Sequence, residues 1–234
     1  MGRILTPTSA KRTSKPASGK KQPLLWEGQR LDRETFHRLY SDSPELKRVQ
    51  LIEGIVYMPS PMRFVQHAHP EVSFTTWLTY FASFTPGVNS GGQATLKIDG
   101  KNEYQPDGML FYDKGQLIID NDGYLVGVPE LVVEVSASTI SVDSNEKYLV
   151  YQKYGVKEYL LWNTEAKKIT WYGRSGSKFV PMKPNREGII KSKAFPGLWL
   201  NVAAMLKGNL KLVLKTLQEG LSSKEHQKFV ASLS

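Results

Sequence analysis

Cysteine is absent from the 234 residues, which excludes disulfides, thiolate metal ligation and a cysteine nucleophile. That composition suits a reducing compartment, and the cytoplasm is the expected location. No apolar run approaches the ~18 residues of a membrane span, so neither a transmembrane helix nor a membrane partner is expected. Acidic residues are missing from positions 1–25, where Arg3, Lys11, Arg12, Lys15, Lys20 and Lys21 stand among Ser, Thr, Pro and Gly. Subtracting those six from the formal charge of +9 leaves +3 for the remainder, so most of the basic excess belongs to this leader. It is expected to be disordered, either as a solvated leader or as an arm that holds polyanions by counterion release. It has no apolar core of the kind a secretory signal requires. A Walker phosphate loop is also absent; Ser90-Gly91-Gly92 reads as a turn. Gly173-Arg174-Ser175-Gly176-Ser177 does not meet the nucleophile-elbow spacing and reads as a hairpin turn.

What is present is an alternation of helical and strand signals that indicates one α/β domain with a mixed central sheet. Asp32 is placed to cap a short helix carrying Phe36, Leu39 and Tyr40, with Leu31 and Phe36 paired as a hydrophobic staple. Arg48 to Met58 alternates around Glu53-Gly54 as a hairpin. The spacing of Val72, Trp77, Leu78 and Phe81 predicts a helix from about Pro70 to Phe84 with those four on its buried face. Ala94–Ile98 and Gly108–Tyr112 read as strands separated by the turn 99–102. From Pro129 to Trp162 the order is apolar strand, helix from Ser141 ended by Gly155, and a second apolar strand, which predicts a parallel pair with a crossover helix. A hairpin around Arg174–Gly176 and two C-terminal helices near 210–221 and 223–233 follow. The five tryptophans fall mostly on apolar faces, where core packing is their expected role.

Glu134 is the residue that demands an explanation. It stands among Leu131, Val132, Val133 and Val135, and burying an uncompensated carboxylate costs several kcal/mol. Asp107 opens another apolar strand, just after Pro106. If the two strands are neighbours, Asp107 and Glu134 can share one hard cation, as magnesium is commonly held by one or two acids. The plain alternatives are a turn acid at 107 and a solvent-facing edge residue at 134. In the helix after Glu134, Asp143, Lys147 and Tyr151 follow at intervals of four and share one face. Asp143 and Lys147 are equally placed for an ordinary surface pair of ~0.3–0.5 kcal/mol, or for a lysine leaning over the acids to stabilise phosphate charge. The spacing His67-x-His69-x-Glu71 suggests a zinc site only if this segment is a strand, and Pro70 argues against that.

Gln105-Pro106-Asp107 followed by Glu134-Val135-Ser136 resembles the PD-(D/E)XK nuclease superfamily, in which an Asp and a Glu bind magnesium beside a lysine. The ordered series PD, PELVVEVSAST, DSNEKYLVYQKYGVKEYLLW and FPGLWL is more closely similar to the Uma-type restriction endonuclease family, from about Leu31 to the C-terminus. The resemblance implies a restriction endonuclease-like α/β core, a mixed central sheet flanked by helices with a C-terminal helical cap. It implies a basic tail over 1–24, a nuclease-like domain over 25–205 and a helical extension over 206–234. It implies a magnesium-dependent endonuclease acting on DNA, with manganese as a substitute, and a homodimer, because cutting both strands takes two sites. Asp107, Glu134 and the carbonyl of Val135 would hold the metal, with Lys147 assisting attack by water. Asp143 would be a supporting acid, and His67 a contact to phosphate or to a carboxylate. One departure stands out: the superfamily's lysine slot, two after the glutamate, holds Ser136, and Lys147 on the adjoining helix is the matching cation. The same departure keeps open a binding module with a decayed site on this fold, while zinc chemistry around His67 and His69 is a third reading.

Overall fold

The computed structural model describes residues 24–136 and 142–233, with side chains of the second segment described from residue 146 onward. The leader up to residue 23, Ser141 and the side chain of Asp143 therefore lie outside the described residues.

Two six-stranded sheets and six α-helices make up the described chain, with a short third sheet of Ile189–Lys191 and Trp199–Asn201. The central sheet runs Lys178–Pro181, Lys168–Ser175, Glu158–Asn163, Leu131–Ser136, Gly108–Tyr112, Val88–Gly91. Leu131–Ser136 and Glu158–Asn163 pair in parallel across the helix Val142–Tyr154, and every other neighbouring pair is antiparallel. The sheet is mixed, as expected, because a parallel pair needs a crossover whereas the flanking strands are joined by reversals. Gly155 (φ 91°) ends the crossover helix in the left-handed conformation that glycine adopts without steric cost.

Alternation along Leu131–Ser136 decides where Glu134 goes. Leu131, Val133 and Val135 pack with Phe74, Trp77, Leu78 and Phe81 of the helix His69–Ser83, and with Val213 and Leu217 of the C-terminal helix Leu210–Leu221. Val132 faces the other way, into a cluster with Val150, Tyr151, Tyr159 and, from the second sheet, Ile52 and Tyr104. Glu134 shares the Val132 face, since side chains two apart on a strand point together. It is buried among aromatic residues of the crossover helix, not turned to water at an edge.

The Asp32 cap, accepting from the Thr35 N–H at 2.9 Å, stands as expected, and Leu31 packs in the Phe36 cluster. The hairpin Gln50–Ile52 with Ile55–Tyr57 turns through Glu53 and Gly54, both at positive φ. Several expectations need correction. The turn 99–102 joins Leu96–Asp99 to Asn102–Tyr104 in the second sheet, so it does not connect Leu96–Asp99 to Gly108–Tyr112. Ser90 and Gly91, read as part of a turn, belong to Val88–Gly91, the edge strand of the central sheet, and Gly92 follows just after it. A Cβ at Gly92 would come within 2.8 Å of the Asp107 carbonyl oxygen, a backbone atom that cannot yield. Val72 is 63 % exposed, because the buried stripe runs through Pro70, Phe74, Trp77, Leu78 and Phe81 on roughly the opposite side of the helix. Trp26 is exposed, whereas Trp77, Trp162 and Trp171 are buried. Among the described residues no helix is long and apolar enough to cross a membrane.

Candidate active site

Asp107 immediately precedes the strand Gly108–Tyr112, whose Gly108 pairs with Val133. One further step in this antiparallel register brings Asp107 across from Glu134. Asp107 is buried, and each of its oxygens accepts a hydrogen bond: Oδ2 from the Val135 N–H at 2.8 Å, and Oδ1 from Gln93 Nε2 at 2.9 Å. His67 Nε2 stands 3.4 Å from Oδ1. Burial pushes the Asp107 carboxyl up, but His67, the Lys147 charge and the Val135 N–H outweigh it and hold the group below the ordinary aspartate value.

Glu134, one residue before Val135, makes its own set of contacts. Oε2 accepts from Lys147 Nζ at 3.2 Å and Oε1 accepts from the Tyr151 hydroxyl at 2.7 Å. Lys147 is 3 % exposed, so it is the buried cation facing Glu134 and not half of a solvated surface pair. The i, i+4 spacing puts Lys147 and Tyr151 on one side of the crossover helix, and that side lies over the Val132–Glu134 face of the sheet. Burial, together with the Glu134 charge, drives the Tyr151 hydroxyl well above the ordinary tyrosine value, so Tyr151 is a permanent donor to Glu134.

Glu71 and Arg48 join the surroundings of Asp107. Phe64–Ala68 forms a π turn directly before the helix His69–Ser83, with Ala68 N–H bonded to Arg63 O. Helical spacing across this junction puts His67 and Glu71 together, His67 Nε2 lying 3.6 Å from Glu71 Oε2. Glu71 Oε1 accepts from the same Gln93 amide at 2.8 Å and pairs with Arg48 at 3.6 Å. Burial, then the charge of Asp107, raises the Glu71 carboxyl above its ordinary value. Ligand atoms of His67, Glu71 and Asp107 all lie within 4.8 Å of one another. His69 is exposed, its ring against Phe64, and takes no part.

Both groups open onto one cleft of about 1030 Å³, lined among others by Arg48, His67, Gln93, Asp107, Glu134, Val135, Ser136 and Lys147. Arg48 (φ 59°), Gln93 (φ 58°) and Lys167 (φ 49°), all on its wall, are non-glycine residues in the left-handed region. Such conformations cost of order 1 kcal/mol or more and persist where surrounding contacts enforce them, often at functional sites. Of the residues singled out from sequence, Asp107, Glu134, Val135, Lys147 and His67 line this cleft. Asp143 belongs to the first turn of the crossover helix, and its side chain is outside the described residues.

Glu71 and Gln93 were not anticipated as a pair with Asp107. Glu71 had a usable signal, because His67 and Glu71 are four apart and Pro70 occupies the first turn of a helix, where proline is favoured. Gln93 had none: an isolated glutamine after two glycines gives no local indication that its amide will bridge two acids.

The His67–Asp107 pair is expected to make stability depend on pH. The hydrogen bond to Asp107 raises the His67 pKa, with burial opposing and the Asp107 and Glu71 charges assisting. A raised folded-state pKa means stabilisation that is full below the unfolded value of about 6.5 and is lost as pH rises through the folded one. In chelator, the melting-temperature advantage of the wild type over His67→Gln is expected to be larger at pH 6 than at pH 8. An advantage that grows with pH would contradict the pairing.

The chain matches the family model Uma2, described as "Putative restriction endonuclease", over residues 33–203. A solved structure from Anabaena variabilis ATCC 29413, described as a "putative nuclease belonging to DUF820", is similar in fold with a TM-score of 0.53 and 13% sequence identity. The similarity covers 68% of this chain and 90% of that one. No curated protein matches.

Proposed function

The chain belongs to the Uma2 restriction endonuclease family, and on that premise we propose that it is a divalent-metal-dependent endonuclease hydrolysing phosphodiester bonds in DNA. The observation that carries this reading is the meeting of Asp107 and Glu134 on one cleft, joined through Val135, with a buried lysine facing the glutamate.

The donor set fits a hard cation. Asp107, Glu134 and the Val135 carbonyl are oxygen donors of the kind magnesium takes. Glu71 Oε2 is buried and accepts no hydrogen bond, with His67 Nε2 at 3.6 Å, so a cation beside Asp107 would give it a close partner. Magnesium is the proposed ion and manganese a substitute. The ion would supply charge neutralisation on the scissile phosphate and a water of lowered pKa.

The protein's own groups then have distinct tasks. Val135 N–H and Gln93 fix the Asp107 carboxylate, so it is preorganised before substrate arrives. Lys147 orients Glu134 and brings positive charge to the cleft wall, where negative charge grows on the phosphate in the transition state. Tyr151 holds the other Glu134 oxygen and stays protonated. His67 can hold a proton at Nε2 between Glu71 and Asp107. Asp143 is retained as a supporting acid. Cutting both strands takes two such clefts, so a homodimer on DNA is part of the proposal.

Supercoiled plasmid incubated with magnesium or manganese is expected to be nicked and linearised, and to stay intact in chelator. Titration calorimetry should report binding of the same ions in the absence of DNA. A protein that shows neither cleavage nor metal binding, yet retains DNA, would instead be a binding module on this fold.

A further inference from the structure

Arg48 lines the cleft, touches the group around Asp107, and has no task in the chemistry proposed above. It stands just before the hairpin Gln50–Ile52 with Ile55–Tyr57, on the same cleft wall as Tyr57. The neighbouring Val49 is 1 % exposed and packs with Phe36, Leu51 and Val56, so the backbone that carries Arg48 is fixed by a core. That backbone is left-handed at Arg48, φ 59°, a conformation that glycine adopts at less cost. An arginine here is a side chain held in one place at some expense to the chain.

The guanidinium itself is only loosely engaged. Nη2 lies 3.6 Å from Glu71 Oε1, and Nη1 donates to the Met62 sulfur, a weak acceptor. The same Glu71 oxygen accepts from the Gln93 amide at 2.8 Å, so the arginine makes the longer and weaker of these two contacts. Arginine carries five N–H donors in a planar fork that matches a phosphate two oxygens at a time. Among the described residues, Glu71 and Met62 are the side-chain partners of Arg48, and its side chain is 32 % exposed. Most of the fork is therefore left to the cleft. The other cations on the wall are placed differently: Lys147 is buried against Glu134, while Arg63 and Lys167 are exposed. Of these four, Arg48 is the one that combines partial exposure with an ion pair to the His67, Glu71 and Asp107 group.

Resting on the nuclease reading above, we infer that Arg48 is the phosphate anchor of the cleft. Its guanidinium takes two oxygens of a backbone phosphate beside the Asp107–Glu134 pair, and Glu71 holds the fork in place until nucleic acid arrives. A phosphate competes well for this fork, because it offers two short charge-assisted hydrogen bonds where Glu71 offers one long contact. Such a contact sets the register of the strand against the acids and selects no sequence. The fixed backbone at Arg48 means that little ordering is lost on binding.

Fluorescence anisotropy with labelled oligonucleotide duplexes of several sequences, in chelator and over a salt series, tests this on the full-length protein. Arg48→Gln is expected to bind every duplex about ten-fold more weakly, and its plot of log affinity against log salt to be shallower by about 0.9, the share of one duplex phosphate. Arg48→Lys should keep the slope, because the charge remains, and recover only part of the affinity, because the fork is gone. Glu71→Gln should tighten binding, and Arg48→Gln/Glu71→Gln should lose that gain, since the release acts through Arg48. The basic leader is common to all these variants, so the differences between them belong to positions 48 and 71. If Arg48→Gln lowers the melting temperature but keeps wild-type affinity and slope, Arg48 is a counter-ion of Glu71 alone; the anchor is wrong and the nuclease reading stands. A gain from Glu71→Gln that survives in the double variant overturns the holding role of Glu71. A wild type that neither binds nor cleaves any nucleic acid overturns both readings.

Discussion

Asp107→Asn is expected to lower magnesium-supported cleavage by about 10³-fold, equivalent to about 4 kcal/mol of transition-state stabilisation. The substitution keeps the shape of the side chain and removes its charge, and Asp107 is the acid where both halves of the site meet. It touches Val135 on the Glu134 strand, Gln93 on the Glu71 side, and His67. An asparagine offers one carbonyl oxygen where two carboxylate oxygens accept. Whichever way the amide is turned, its NH₂ faces a donor, either the Val135 N–H or the Gln93 amide. That mismatch in a buried position should cost about 1–3 kcal/mol of stability, readable in urea denaturation alongside single-turnover cleavage. The variant should also lose the magnesium-induced rise in melting temperature that ion binding gives the wild type. Wild-type cleavage by folded Asp107→Asn would remove Asp107 from the mechanism.

Lys147→Met should produce the second large effect, and it separates a structural role from a catalytic one. Lys147 and Glu134 are both buried, 3 % and 6 % exposed. Removing one partner of such a pair strands the other charge and typically costs about 3–5 kcal/mol. Glu134→Gln/Lys147→Met, with both charges gone, should recover most of that stability, since a neutral pair of similar volume has no uncompensated charge to bury. Cleavage should behave differently. Loss of a group that stabilises developing charge costs about 10²–10³-fold, and the double variant should stay at the low rate because it also lacks Glu134. Denaturation curves and cleavage rates measured on the same preparations decide the matter. Full cleavage by Lys147→Met would make the lysine a counter-ion alone, and the superfamily's missing cation would have to be sought elsewhere.

Much of the fold was legible because it depends on short-range chemistry. Asp32 as a cap, the Glu53-Gly54 hairpin, the stop at Gly155 and the strand–helix–strand unit around Glu134 all follow from neighbours in sequence. The failures have physical causes. Val88–Gly91 and Asn102–Tyr104 are strands of four and three residues, too short for alternation to show, and are held by partners distant in sequence. Val72 was assigned to the wrong face because the helix buries a polar residue, Ser73, beside the stripe and leaves an apolar one outside. The joining of Glu71 and Gln93 at Asp107 was not legible, because it depends on side chains 14 to 36 residues apart in sequence meeting in space.

The sequence by itself determined that Glu134 would stand in an apolar strand and would require compensation wherever that strand was buried, since alternation and the cost of burying charge are local facts; the central place of the strand in the sheet decided that it is buried. It also determined that a lysine and a tyrosine would rise from the following helix on one face. Which charge answers which acid was decided only by tertiary structure. Strand register sets Asp107 near Glu134, the seating of the crossover helix turns Lys147 and Tyr151 onto Glu134, and the π turn before His69–Ser83 brings His67 and Glu71 to Asp107. Hydrogen bonds and ion pairs fall off within a few ångströms, so a site is defined by these packing distances, and no spacing along the chain encodes them.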